Sequence, residues 1–221
     1  MRTRSSWALP AALAIAMSLA VVAGGASADD PAEASGRAVQ LRLESDEQAR
    51  GRPDAPLTLV EFTDYQCPYC RRFEAQTWPL IKRDWVDTGR LRFIVRDLPL
   101  EFHSAARPAA EAVHCAAEQG RFWPMHDALL AEHADLTPAG LTRAARSLGV
   151  DPARFAACTS AHRYDAAIAH NAAAAQALGL HGTPAFVIGR VHDGVLQGWV
   201  LLGAQPYEDF DAALHEVLAA K

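Results

Sequence analysis

The sequence predicts an α/β fold in which strand, helix and strand come first, a block of helices follows, and two strands and a helix close the chain. Three observations carry this expectation. A β-rich run, Leu57–Thr63, leads straight into Cys67-Pro68-Tyr69-Cys70, and a second strand-like run covers 91–98. From 104 to about 178 the composition turns to Ala, Leu, Glu and Arg at helical spacing. After His181-Gly182-Thr183-Pro184 the chain returns to short apolar runs. Periodicity of 2 on either side of a long stretch of helical period implies a sheet that receives a helical insertion.

The first residues read as an address. Arg2 and Arg4 precede an apolar run from Trp7 to Val22, and Ala26-Ser27-Ala28 follows, the pattern of an export signal removed near Ala28. The run is about as long as a bilayer is thick, so an uncleaved anchor is the alternative. Removing 28 of the 221 residues would leave 193 and move the formal charge from −5 to −7. A periplasmic or otherwise exported, soluble chain of that size suits one domain. Basic residues are scattered, with nothing beyond pairs such as Arg71-Arg72 and Lys82-Arg83, so nucleic acid is not an expected partner.

Residues 29–50, rich in Ala, Glu, Asp and Ser, are expected to be a flexible lead-in with one edge strand around Val39, Leu41 and Leu43. The folded body is expected over 51–221. It is entered through 51–56, where two prolines mark a loop. The strand Leu57–Thr63 feeds a helix whose first turn accommodates Pro68, since its missing N–H would be unpaired there anyway. Phe73, Trp78, Leu80, Ile81 and Trp85 give that helix its apolar positions, and Pro79 is expected to kink it. A turn at Thr88-Gly89 and the run over 91–98 complete a right-handed βαβ unit.

In the helical block, breaks fall at Gly120, at Thr137-Pro138 and over 149–152. Thr137-Pro138 and Asp151-Pro152 each place a capping side chain before a first-turn proline. Residues 185–188 and 199–202, separated by a turn near Asp193-Gly194, are strands, and an amphipathic helix starts near Tyr207. The order βαβ, helices, ββα is that of a thioredoxin-like fold with an all-helical insertion over about 104–178.

Four cysteines allow three pairings, and export permits disulfides to persist. Cys67 and Cys70 stand three apart, which favours near with near and far with far. Disulfide exchange needs a thiolate, and a cysteine at a helix N-terminus faces unpaired N–H groups and the positive end of the helix dipole. Cys67 occupies such a position, with an expected pKa of roughly 3.5 to 7.5. Cys70, one turn on, is placed to resolve a mixed disulfide, and Pro68 and Tyr69 between them tune the redox potential. Zinc would normally take four ligands, and Cys115 and Cys158 lie 43 residues apart without a second close pair. A purely structural bridge within one helical turn would constrain the unfolded chain little. No metal site or cofactor is therefore expected. The nine histidines show no metal spacing; His181 alone lies near Pro184, where a protonated ring beside Cys67 would favour the thiolate.

Over most of the mature chain the sequence resembles the DsbA-like disulfide oxidoreductases. The likeness rests on Ala55-Pro56, Glu61-Phe62, Asp64-Tyr65-Gln66-Cys67-Pro68-Tyr69-Cys70, Gly182-Thr183-Pro184, and the stretches 115–122 and 203–210. The resemblance implies that Pro184 is a cis-proline beside the active disulfide, with the backbone of Thr183 open to an extended substrate segment. It implies that Glu61 is a buried carboxylate relaying protons to the resolving cysteine, although the strand pattern alone also allows it to face solvent. It further implies a second disulfide, Cys115 to Cys158, where two separate buried thiols are the alternative.

The expected function is exchange of the Cys67/Cys70 disulfide with cysteines of reduced or misoxidised exported proteins. The protein would act as a monomeric disulfide donor reoxidised by a membrane redox partner. A reductase or isomerase of the same fold is the alternative, and a Cu(I) carrier using the reduced pair is a third reading. Tyr65, Tyr69, Phe102 and Trp123 are candidates for an apolar groove beside the site.

Overall fold

The structure is a computed structural model that describes residues 36–45 and 47–220. The expected export signal over 1–28 and the first part of the expected lead-in lie outside the described residues. Among those described, no helix is long and apolar enough to cross a membrane.

Two strands come from the lead-in, β1 (Ala38–Arg42) and β2 (Ala49–Arg50), and β3 (Leu57–Thr63) follows. Helical turns then run from α1 (Pro68–Arg72) through α2 (Trp78–Ile81), and β4 (Leu91–Asp97) returns to the sheet. The insertion holds α3 (Ala106–Ala117), α4 (Phe122–Leu130), α5 (Pro138–Ser147), α6 (Pro152–Ser160) and α7 (Asp165–Ala177). The hairpin β5 (Ala185–His192) and β6 (Val195–Leu202) and the helix α8 (Tyr207–Ala219) close the chain. This is the thioredoxin-like βαβ and ββα order with its helical insertion.

The sheet order is β1-β6-β5-β3-β4-β2. β3 pairs parallel with β4 and antiparallel with β5, so all seven of its residues are buried. Alternation along β3 sends Leu57, Leu59, Glu61 and Thr63 to one face and Thr58, Val60 and Phe62 to the other. The first face packs with Phe73, Trp78, Ile81, Trp85, Phe93, Phe186 and Phe210. The second packs Val60, Phe62, Ile94, Val187 and Leu196 against Ala175 and Leu180. A third cluster fills the insertion, with Val113, Met125, Leu129, Phe155 and Ile168, and extends to Tyr65, Cys67 and Cys70. The turn that carries Cys67 and Cys70 is thus the seam between sheet and insertion. Burying side chains of this size contributes roughly 1.5–3 kcal/mol each.

The expected edge strand is β1, which pairs with β6 at one edge of the sheet, while β2, which the sequence did not signal, pairs with β4 at the other; with the buried Arg96 guanidinium donating to the Glu47 carboxylate and to the Arg42 carbonyl, these described parts of the lead-in are tied to the sheet rather than flexible. A two-residue strand is too short to leave a periodic signal. Around Pro79, where a kink is expected, the helical turns change their hydrogen-bond spacing rather than stop. A π turn, Phe73–Thr77, precedes it, in which the Trp78 N–H reaches the Phe73 carbonyl, and a second π turn spans Lys82–Val86. Shifting the hydrogen-bond spacing before the proline lets the helical turns run on past a residue that has no N–H to give.

Both proposed helix starts are capped locally. Thr137 Oγ1 accepts from the Gly140 amide at 3.1 Å, and Asp151 Oδ1 accepts from the Arg154 amide at 2.8 Å.

Candidate functional site

Cys67 is the N-cap of α1, with extended backbone (φ −69°, ψ 123°), and Pro68 takes the first helical position. The Asp64 carboxylate builds the turn ahead of it. One oxygen accepts from the Gln66 amide, and the other accepts from the Leu100 amide and faces His103 Nδ1, each at 2.8 Å. Gln66 Oε1 accepts from the Ala105 amide at 2.7 Å. The short loop between strand and helix is therefore stitched to the loop that leads into α3.

Cys67 and Cys70 are free thiols, Cys67 3 % exposed and Cys70 fully buried. Their environments push them in opposite directions. The Cys70 side chain hydrogen-bonds to Cys67; helped by Thr183 and by the backbone amides of Cys70 and Tyr69, it outweighs partial burial and brings the Cys67 thiol down to about 5. Burial, then the bond to Cys67 and the charge of Glu61, hold Cys70 well above the ordinary thiol range. The Asp64 amide lies 3.5 Å from Cys70 Sγ. One sulfur is thus prepared as a nucleophile and leaving group, and its neighbour is kept protonated.

Thr183 and Pro184 come to the site from the far end of the insertion. Their peptide bond is cis, and the Thr183 carbonyl oxygen is 3.3 Å from Cys67 Sγ. Glu61 lies wholly buried on the β3 face that meets the active-site helix, and neither carboxylate oxygen has a hydrogen-bond partner. Burial, and after it the nearby charge of Glu74, raises its pKa well above the carboxylate range. An unpaired carboxyl in such a setting favours its protonated form, since as a fixed anion it would cost several kcal/mol.

Cys115 of α3 and Cys158 of α6 are joined by a disulfide with Cα atoms 5.7 Å apart, inside the core of the insertion. His181 is exposed and is not among the principal groups that set the acidity of Cys67. The four aromatic candidates divide. Tyr65 is buried and Trp123 packs into the core, whereas Tyr69 is 54 % and Phe102 76 % exposed. Arg72 lies over the Tyr69 ring, 4.9 Å from its centroid.

Sequence reasoning missed Glu74 and His126. His126 of α4 is fully buried, with Nδ1 3.0 Å from the Tyr65 hydroxyl and Nε2 facing Glu74 at 4.0 Å. Nothing in the spacing of the histidines shows this, because the insertion brings α4 against the active-site helix only in three dimensions. Glu74, His126 and Asp127 each place a potential ligand atom within 4.8 Å of the others. Asp127, however, already accepts two hydrogen bonds from Arg50, at 2.6 and 2.8 Å, and that guanidinium would oppose a metal cation.

Comparison with known proteins gives the same picture. The sequence pattern of the family described as Thioredoxin matches residues 44–214. A thioredoxin-like oxidoreductase from Silicibacter pomeroyi is 30% identical, with a TM-score of 0.66, over 80% of this chain and 95% of that one. Pseudomonas aeruginosa DsbA2 is 27% identical, with a TM-score of 0.64, over 79% of this chain and 95% of that one. Wolbachia pipientis alpha-DsbA1, at 21% identity, shares the fold with a TM-score of 0.71 over 80% of this chain and 93% of that one. Among curated proteins, Na(+)/H(+) antiporter NhaA 3 of Salinispora tropica is 42% identical over 150 residues, 67% of this chain and 22% of the antiporter. The chain spans about a fifth of the length of the curated relatives it matches. By its sequence and architecture, the chain belongs to the thioredoxin family and is a DsbA-like member of it.

Proposed function

We propose that the protein is a thiol:disulfide oxidoreductase that donates the Cys67–Cys70 disulfide to reduced cysteines of exported proteins. The observation that carries this reading is the opposed state of the two sulfurs, Cys67 lowered to about 5 and Cys70 held well above the ordinary range. A stabilised Cys67 thiolate favours the reduced protein, and so makes the disulfide a stronger oxidant.

Each step then balances. A substrate thiolate attacks Cys67 Sγ, the Cys67–Cys70 bond breaks, and Cys70 leaves with the electron pair and takes up a proton. Glu61, buried and able to carry that proton, is the donor in this reading. A second substrate thiolate attacks the substrate sulfur of the mixed disulfide. Cys67 departs as a thiolate, and two electrons have passed from the substrate to the protein. Return of the dithiol to the disulfide needs an acceptor of two electrons, for which a membrane redox partner is the expected source. The Thr183 backbone beside Cys67 supports pairing with an extended substrate segment, and exposed Tyr69 and Phe102 offer apolar contact nearby. The protein would work as a soluble exported monomer, released near Ala28.

Equilibration with glutathione tests the direction. A reduction potential near −120 mV supports the donor, and one near −270 mV turns the reading to a reductase. Repair of scrambled disulfides at the rate of a dedicated isomerase would also overturn the donor assignment.

A further inference from the structure

The insertion holds a second pair of sulfurs, and each faces a carboxylate. Glu111 Oε1 lies 3.7 Å from Cys115 Sγ, and Glu118 Oε1 lies 3.5 Å from Cys158 Sγ. Both cysteines and Glu111 are buried. Joined in a disulfide, the sulfurs carry no hydrogen, so neither contact is a hydrogen bond in that state. A thiol at the same place would have one to give. A short segment ahead of α7 holds both acids against the sulfurs. The Tyr164 amide donates to the two oxygens of Glu111 at 3.1 and 3.2 Å, and the Tyr164 hydroxyl donates to Glu118 at 3.2 Å. Arg163 Nη1 donates to both Glu118 oxygens, at 2.6 and 2.8 Å.

We propose that Cys115 and Cys158 form a second redox couple, reduced in the folded protein by a small dithiol, whose reduced form is held by S–H hydrogen bonds to Glu111 and Glu118. A thiolate of the dithiol attacks one sulfur, the Cys115–Cys158 bond breaks, and the other sulfur leaves with the electron pair. The second thiol of the reductant then displaces the first sulfur. The reductant ends as a cyclic disulfide, and Cys115 and Cys158 end as thiols, each with its hydrogen facing a carboxylate. Two electrons and two protons have passed to the protein. This couple stands apart from the exchange at Cys67 and Cys70 and does not depend on its direction.

The surroundings fit this role. Hydrogen bonds to an ionised acceptor are about twice as strong as those between neutral groups. Here they exist only in the dithiol, so they shift the equilibrium towards reduction relative to a bridge without such acceptors. Burial, opposed by the Tyr164 amide, raises Glu111 above the ordinary carboxylate range, with Asp165 adding to the shift and His114 and His162 opposing it. A thiol donor would relieve that buried anion. Two cavities reach these acids. One, of about 300 Å³, lies among α3, α5 and α6 and is lined by Glu111, Ala112, Leu141, Phe155 and Thr159. The other, of about 420 Å³, is lined by Ala117, Glu118 and Tyr164, with His170 and Asn171 of α7. Spaces of this size admit a small dithiol and exclude a folded protein.

The experiment equilibrates the full chain with graded ratios of reduced and oxidised dithiothreitol, traps thiols by alkylation, and reads Cys115 and Cys158 by peptide mass, apart from Cys67 and Cys70. Circular dichroism follows the fold in the same samples. The bridge should open while the protein stays folded, and a bridge that opens only on unfolding overturns the proposal. In the double variant Glu111→Gln/Glu118→Gln the equilibrium constant for reduction should fall at least about tenfold, equivalent to about 30 mV. A merely structural role for the two acids would weaken both redox states alike and leave that constant where it was, which also overturns the proposal. If the double variant does not fold, the infrared S–H stretch of the reduced Cys67→Ser/Cys70→Ser protein decides. Bands lowered from the free-thiol position support the S–H bonds to Glu111 and Glu118, and bands at that position overturn them.

Discussion

Thr183 and Cys67 meet across 116 positions of sequence, the carbonyl oxygen of one 3.3 Å from the sulfur of the other. The whole helical insertion lies between them in the chain, yet the pairing of β3 with β5 sets both loops at the same end of the sheet. The Thr183 side chain also helps to lower the Cys67 thiol, although its buried hydroxyl has no hydrogen-bond partner in the structure. Thr183→Val keeps the carbonyl and removes the hydroxyl. Its Cys67 should titrate above the native value of about 5, as read by thiolate absorbance in the reduced protein. An unchanged titration would show that the hydroxyl plays no part.

Glu61→Gln should slow exchange and stabilise the protein at once. The raised pKa of Glu61 means that the folded state binds a proton the unfolded state releases. Its contribution is complete below the unfolded value, about 4.3, and is lost as pH rises through the folded value. Gln carries no such loss. The variant should therefore gain stability over the native protein as pH rises from about 4.3 to the folded value and keep that gain above it, while mixed-disulfide formation falls about a hundredfold. Thermal melts at two pH values and peptide exchange kinetics check both halves.

Asp64→Ala should loosen the site from behind. Its buried carboxylate accepts from the Gln66 and Leu100 amides and contacts His103, so removal leaves those partners without it. A cost of about 2–4 kcal/mol in denaturant unfolding is expected, with faster amide exchange at Gln66 and Leu100. Asp64→Asn should retain part of the stability, because one oxygen still accepts.

Replacing both Cys115 and Cys158 by Ser should cost up to about 4 kcal/mol, from the entropy that closing a loop of this separation removes from the unfolded chain. The bridge lies within the helical core rather than at the exchanging pair, so the Cys67 titration should stay where it is. A changed titration would mean that the two disulfides communicate.

Local signals in the sequence translated directly into structure. Thr137 and Asp151 cap their helices with their own side chains, and Pro68 follows Cys67 in the first turn of α1, because capping needs only neighbours in the chain. Features set by tertiary packing were less visible. The strand pattern allowed Glu61 to face either way, since β3 is covered on both faces and its alternation marks no solvent side. The union of Cys115 with Cys158 came from resemblance, as spacing alone left it open. Glu74 and His126 were not legible at all: each is ordinary in its own helix, and their shared burial exists only where α4 docks behind the active-site turn. His181, the histidine that sequence proximity favoured, is exposed.

The most direct test is a pH titration of the fully reduced protein, following thiolate absorbance together with the alkylation rate of each cysteine. The opposed environments of the two sulfurs predict one thiolate at Cys67 with a midpoint of about 5, and a Cys70 that stays protonated past the ordinary cysteine range. Two overlapping midpoints near 8.5, the value of an unperturbed thiol, would contradict the account.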